Sequence, residues 1–143
     1  MKLHVAWIGR TKEASIAALT AEYLKRIARY IPTEHHELRS QAALLELATK
    51  QRATLVLLDA RGKQLTSEEF AAWLGQHQDR GTQRLLLAIG PADGFAATTR
   101  SAAAQQLSLG KMMLAHELAR VVLLEQIYRA FTILKGHPYH TGH

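Results

Sequence analysis

Residues 117–135 run for nineteen positions without a proline or a glycine, rich in Leu, Ala, Val and Ile, before Lys135-Gly136 and then Pro138 close the run. Such a stretch predicts one helix of about five turns ending at a glycine stop. On a helical wheel Leu123, Leu124, Ile127, Ala130, Phe131 and Leu134 make one stripe. Leu118, Val121, Val122, Tyr128 and Ile133 fall on other faces, which leaves Arg120, Glu125, Gln126, Arg129 and Thr132 scattered rather than gathered on a solvated side. A helix apolar nearly all round must be covered on more than one side. In a short chain the simplest second cover is another copy of the same chain.

The remaining sequence supports one compact domain over residues 1–143. At 48% hydrophobic content it can build a core without metal or crosslinks, and with no cysteine it has no disulfides. The opening LHVAWI is too short and too soon interrupted for a signal segment, and no apolar run approaches the roughly 20 residues of a membrane span. A cytoplasmic protein without a membrane partner is expected. Eighteen Lys and Arg against twelve Asp and Glu favour an anionic partner such as nucleic acid.

Leu3 to Ile8 reads as a buried strand, followed by a helical run over residues 12–30 whose inner face would be Ile16, Leu19, Tyr23, Leu24 and Ile27. Lys25, Arg26 and Arg29 near its end suit the helix dipole as a solvated face, with an RNA-facing patch as the sharper alternative. Pro32 breaks that helix, residues 34–38 read as a short strand and residues 42–50 as a short helix. His35-His36 is a tempting metal pair, but neighbours on a strand point to opposite faces. Leu55 to Leu58 is an apolar strand running into a polar loop over residues 59–63. Thr66 or Ser67 then caps a helix reaching Leu74, and Leu85 to Ile89 is a further strand closing on Gly90-Pro91-Ala92-Asp93-Gly94. Uniformly apolar strands alternating with helices predict an α/β fold, a mostly parallel sheet with helices on both faces. Ligands in such folds sit beyond the carboxyl ends of the strands.

The Gly90-to-Gly94 loop is therefore a candidate for close approach to a ligand, though a turn there needs such residues anyway. It has neither Walker nor dinucleotide spacing, and the chain lacks a nucleophile elbow or a zinc helix motif. Ser108 to Leu114, interrupted by Gly110-Lys111, reads as a loop held under the sheet. Its backbone with Met112, Met113 and Leu114 would suit a flat adenine, while plain core packing is the blander role. His116, at a helix start, should have a depressed pKa and a neutral ring. The tail His137-Pro138-Tyr139-His140 offers stacking and hydrogen bonding to an unpaired base, and His137, His140 and His143 are a weaker metal alternative with no acidic ligand nearby. Glu125 and Arg129, four residues apart, should pair with each other or across a dimer, and Arg120 likewise, unless it faces the ligand.

Taken together, these residues resemble the RlmH family, SPOUT-superfamily methyltransferases that modify N3 of a pseudouridine in 23S ribosomal RNA. The resemblance spans essentially the whole chain. It includes Glu22-Tyr23-Leu24-Lys25-Arg26, Leu58-Asp59 with Gly62-Lys63, Ser67-Glu68-Glu69-Phe70-Ala71, Ile89-Gly90, Ser108-Leu109 and His116. Most specific are Leu124-Glu125-Gln126-Ile127-Tyr128-Arg129-Ala130 and Pro138-Tyr139-His140.

The resemblance implies a C-terminal trefoil knot, S-adenosylmethionine as the methyl donor without a metal, and a homodimer acting on 23S rRNA or the ribosome. By position, Leu58, Gly90, Gly110, Lys111, Met112, Met113, Leu114 and Ala115 would hold the donor. Arg120, Arg129, Tyr139 and His140 would face RNA, with His140, Tyr139 and His116 as catalytic candidates. The chain departs from the family at Pro91, Met113 and Ala115, where glycine, threonine and proline are usual. A catalytically idle RNA- or ribosome-binding protein of the same fold is the alternative.

Overall fold

The computed structural model describes residues 1–141. Its strands are β1 (Lys2–Ile8), β2 (Thr33–Leu38), β3 (Thr54–Gln64), β4 (Arg84–Ile89) and β5 (Gln105–Ser108), and its helices α1 (Ala14–Ala28), α2 (Gln41–Gln51), α3 (Ser67–Asp79), α4 (Ala97–Ala102) and α5 (His116–Leu134). The strands form one parallel sheet in the order β2-β1-β4-β3-β5, the α/β architecture expected. No helix among the described residues is long and apolar enough to cross a membrane.

The central strands are apolar on both faces because both faces are covered. Leu3, Val5, Trp7, Leu85 and Leu87 meet α1, α3 and α5, while Ala6, Ile8, Leu55, Leu57, Leu86 and Ala88 meet Leu44 of α2 and Phe95. α3 begins at a capping box, Thr66 accepting from the Glu69 amide and Glu69 accepting from the Thr66 amide.

α5 is the helix predicted from its unbroken run. It packs between α1 and α3 on the sheet, burying Val121, Leu123, Leu124, Ile127, Ala130 and Phe131 within one chain. Each large side chain among them contributes about 1.5–3 kcal/mol. Of the apolar residues on its other faces only Val121 is buried, and Val122, Tyr128 and Ile133 stay partly exposed. Leu118 and Leu134 remain exposed, as does Leu19, placed on the inner face of α1 by its periodicity.

Two further expectations are corrected. Residues 59–63 are not a loop: β3 continues through them, and after an irregularity between Leu58 and Lys63 it pairs Lys63 with Leu107 and Gln64 with Ser108. Nor did periodicity reveal α4 and β5, whose six and four residues hold too few apolar positions to show a repeat. β5 is fixed by its surroundings instead, with Trp73 Nε1 donating to Gln105 Oε1 at 2.9 Å and the Ala104 amide to the Leu55 carbonyl at 2.9 Å.

Gly62 lets the polar end of β3 approach β5. A Cβ there would stand 2.5 Å from the carbonyl carbon of Leu107 and 2.7 Å from that of Gln106, both backbone atoms that cannot swing aside. Gly62→Ala is expected to destabilise the fold by about 1–3 kcal/mol, the usual range for overpacking. A thermal melt should show the midpoint lowered by several degrees, and an unchanged midpoint would refute the close approach.

Candidate active site

Two adjoining clefts open at the carboxyl ends of β4 and β5 and against the middle of β3. One, of about 530 Å³, lies between Leu58 to Arg61, Ile89 to Phe95, and Met113 to His116. The other, of about 200 Å³, lies between Leu58 to Ala60 and Ser108 to Leu114. All eight positions assigned to the methyl donor line one or both: Leu58, Gly90, Gly110, Lys111, Met112, Met113, Leu114 and Ala115.

The walls are built from backbone. The Gly94 amide donates to the Pro91 carbonyl at 2.8 Å to close the β4 turn, and a Cβ on Gly90 would meet the Phe95 ring at 3.0 Å. Ser108 Oγ both accepts from the Gly110 amide at 3.1 Å and donates to its carbonyl at 3.0 Å, turning the chain out of β5. Gly110 takes φ 132°, a conformation that disfavours a side chain. Residues 110–114 do not lie under the sheet: Met112 is 86% and Met113 97% exposed, forming an apolar lip, so core packing is excluded for them.

His116 lines the larger cleft at the first turn of α5. Its Nε2 is 2.8 Å from the Ile8 carbonyl and 2.8 Å from Arg120 Nη2. One nitrogen cannot donate to the first and accept from the second. Arg120 Nη2 also reaches the Gly9 carbonyl at 3.3 Å. Protonating Nε2 gives the Ile8 carbonyl its donor, leaves Arg120 Nη2 to donate to Gly9, and leaves Nδ1 an unprotonated acceptor. Burial first, and the neighbouring Arg120 cation second, hold the imidazole pKa below 6.5. The ring is neutral as expected, though burial rather than the helix dipole is the leading cause.

Arg120 is not on an RNA-facing surface. Its side chain is 0% exposed, with Nη1 donating to Thr11 Oγ1 at 3.0 Å, Glu37 at 3.7 Å and the guanidinium 5.4 Å from the Trp7 ring centre.

Arg129 binds Glu125 at 2.7 Å, the expected pairing, and lies over the Tyr139 ring at 5.0 Å. Tyr139 meets Tyr128 edge-on at 4.7 Å and donates to Glu125 at 3.3 Å, and burial pushes its phenol pKa upward. His140 Nδ1 is 2.9 Å from Arg129 Nη1, which can only donate, so Nδ1 accepts. Nε2 therefore carries the proton and donates to Glu68 at 2.6 Å. The tail is thus packed on α3 and α5 rather than loose, and neither Tyr139 nor His140 lines the two clefts.

His143 lies outside the described residues. His35 and His36 part as strand neighbours must, His35 toward Trp7 and His36 toward His4. The sequence did not reveal that the β1–β2 register sets His4 against Glu34. His4 Nδ1 lies 3.0 Å from His36 Nε2 and 3.8 Å from Glu34, a group of metal-ligand type. A third cavity, of about 300 Å³, was equally invisible: it opens between α3, α5 and the ends of β3 and β5.

Residues 1–140 match the family described as "Predicted SPOUT methyltransferase". The chain is 59% identical to the ribosomal RNA large subunit methyltransferase H of Koribacter versatilis (strain Ellin345), over 100% of both chains. It is 43% identical to the protein of that name from Geobacter sp. (strain M21), over 98% of this chain and 99% of that one. Among solved structures, the A. aeolicus TrmH/SpoU tRNA modifying enzyme superposes with a TM-score of 0.53 at 10% identity, covering 94% of this chain and 77% of that one. The SpoU methyltransferase AviRb from Streptomyces viridochromogenes, in complex with AdoMet, gives 0.52 at 14% identity, covering 88% and 56%. At these identities the two structures share the fold.

Proposed function

The chain belongs to the SPOUT methyltransferase family, and from that premise we propose that it transfers a methyl group from S-adenosylmethionine to N3 of a pseudouridine in 23S rRNA of the large ribosomal subunit. The observation that carries this reading is the meeting of β3, β4 and the residues before α5 in adjoining clefts, in a chain identical at 59% of positions to a large-subunit rRNA methyltransferase. No comparable feature favours an idle binding protein.

The cleft residues fit the donor. Leu58, Ile89 and Leu114 offer apolar walls for an adenine, the glycine turns bring backbone groups within reach, and the Asp59 carboxylate suits a ribose or a cationic centre. Pro91, Met113 and Ala115 do not close the space. The donor supplies an electrophilic methyl on a sulfonium: the S–C bond breaks, an N3–C bond forms, and the N3 proton goes to a base. His116, neutral with Nδ1 unprotonated, is the group on the cleft suited to take that proton. His140 has both nitrogens engaged, so with Tyr139 and Arg129 its role is to hold RNA beside the site.

Three further features belong to the proposal. The chain passes from β4 across to β5 on the far side of β3, an order compatible with a trefoil knot. Exposed Leu19, Met112, Met113, Leu114 and Leu118 suit a homodimer contact. The whole chain acts as a single methyltransferase domain.

Purified protein given labelled S-adenosylmethionine and unmethylated large subunits should place one label on a pseudouridine of 23S rRNA, located by mass spectrometry. Transfer to no nucleotide of the RNA would reject the assignment. Protonation removes the lone pair of His116, and its pKa is lowered from 6.5. The rate should therefore hold down to about pH 6.5 and fall only below it. A decline beginning above pH 7 would point to a different base.

A further inference from the structure

We propose that the cavity between α3 and α5 receives the target base, and that Ser67 and Gln126 read the N–H and C=O edge by which pseudouridine differs from uridine. This rests on the rRNA methyltransferase reading and extends it to specificity.

The cavity's position connects the two halves of the proposed site. Leu58, Ser108 and Leu109 form a wall shared with the clefts at the strand ends, so a base lying here borders the donor. On the opposite rim Ser67 adjoins Glu68, which holds His140, and Gln126 adjoins Glu125, which holds Arg129. Its volume of about 300 Å³ lies at the small end of ligand pockets and suits a single flat ring between Leu58, Phe70 and Val122.

The polar groups select the ring. Ser67 Oγ donates its single proton to Gln126 Oε1 at 2.7 Å, so its lone pairs remain as acceptors. Gln126 Nε2 gives one proton to Glu125 Oε2 at 3.3 Å and keeps a second. An acceptor and a donor thus stand side by side. Pseudouridine is joined to its ribose through carbon and keeps an N1–H beside the C2 carbonyl, matching that pair. In uridine N1 carries the sugar, so the Ser67 acceptor would be left without a donor. With this edge held, N3, on the other side of the C2 carbonyl, lies by the wall shared with the donor, and its proton reaches His116 through water, because His116 lines the larger cleft and not this cavity. A buried polar group left unpaired in one substrate alone yields discrimination on the order of ten- to a hundredfold.

The test compares methyl transfer to large subunits carrying either pseudouridine or uridine at the target position. The wild-type protein should favour pseudouridine in kcat/KM. Ser67→Ala and Gln126→Leu should bring the two substrates within a few fold of each other, with S-adenosylmethionine affinity and melting midpoint retained. Ser67→Thr, which keeps the hydroxyl, should preserve the preference. Either altered protein retaining the wild-type ratio would overturn the proposal, as would a wild-type protein that ignores the difference. A protein that methylates neither substrate would instead refute the methyltransferase reading.

Discussion

A single buried cation fixes the seat of the last helix. Arg120 has no exposure, and its burial lowers its pKa against the raising influence of Glu117 and Glu37. An uncompensated charge in such a place costs several kcal/mol, so its partners must be assembled together. The Gly9 carbonyl and Thr11 follow β1 and Glu37 comes from β2, while His116, one turn earlier on α5, donates to the Ile8 carbonyl at the end of β1. Glu117 adds the other half of the joint by accepting from the amides of Lys12 and Glu13 ahead of α1. The start of α5 is therefore clamped to the carboxyl ends of two strands.

That clamp places the rest of the site. Residues 113–116 lead into α5, so fixing its first turn sets one wall of the larger cleft, His116 included. Farther along the same helix Val122 and Gln126 face the neighbouring cavity, and Glu125 and Arg129 hold Tyr139 and His140. One helix carries the proposed base at its first turn and, nearly three turns on, the proposed reader of the substrate beside the anchor of the tail. Positioning of this kind suits a reaction in which the protein aligns a nucleophilic nitrogen with a reactive methyl.

Much of this was legible in the residues. Long apolar strands and the unbroken α5 announced the sheet and the helix, and the glycine loops fell where ligands bind in parallel sheets. What failed has physical causes. The residues alone left Arg120 to pair or to face a ligand, and the resemblance placed it toward RNA, because the groups that enclose it, at Gly9, Thr11 and Glu37, lie far away in sequence. The continuation of β3 through polar residues, and the four residues of β5, depend on close backbone approach at Gly62. The cavity beside Ser67 and Gln126 arises from two helices meeting and has no local signature.

If the clamp sets the cleft, disrupting it should cost ligand binding without dissolving the fold. The direct measurement is a calorimetric titration of Arg120→Met with S-adenosylmethionine, alongside a melt showing that the variant still unfolds cooperatively. A folded variant whose affinity drops by tenfold or more is the predicted result. A folded variant that binds S-adenosylmethionine as tightly as the native chain would contradict it.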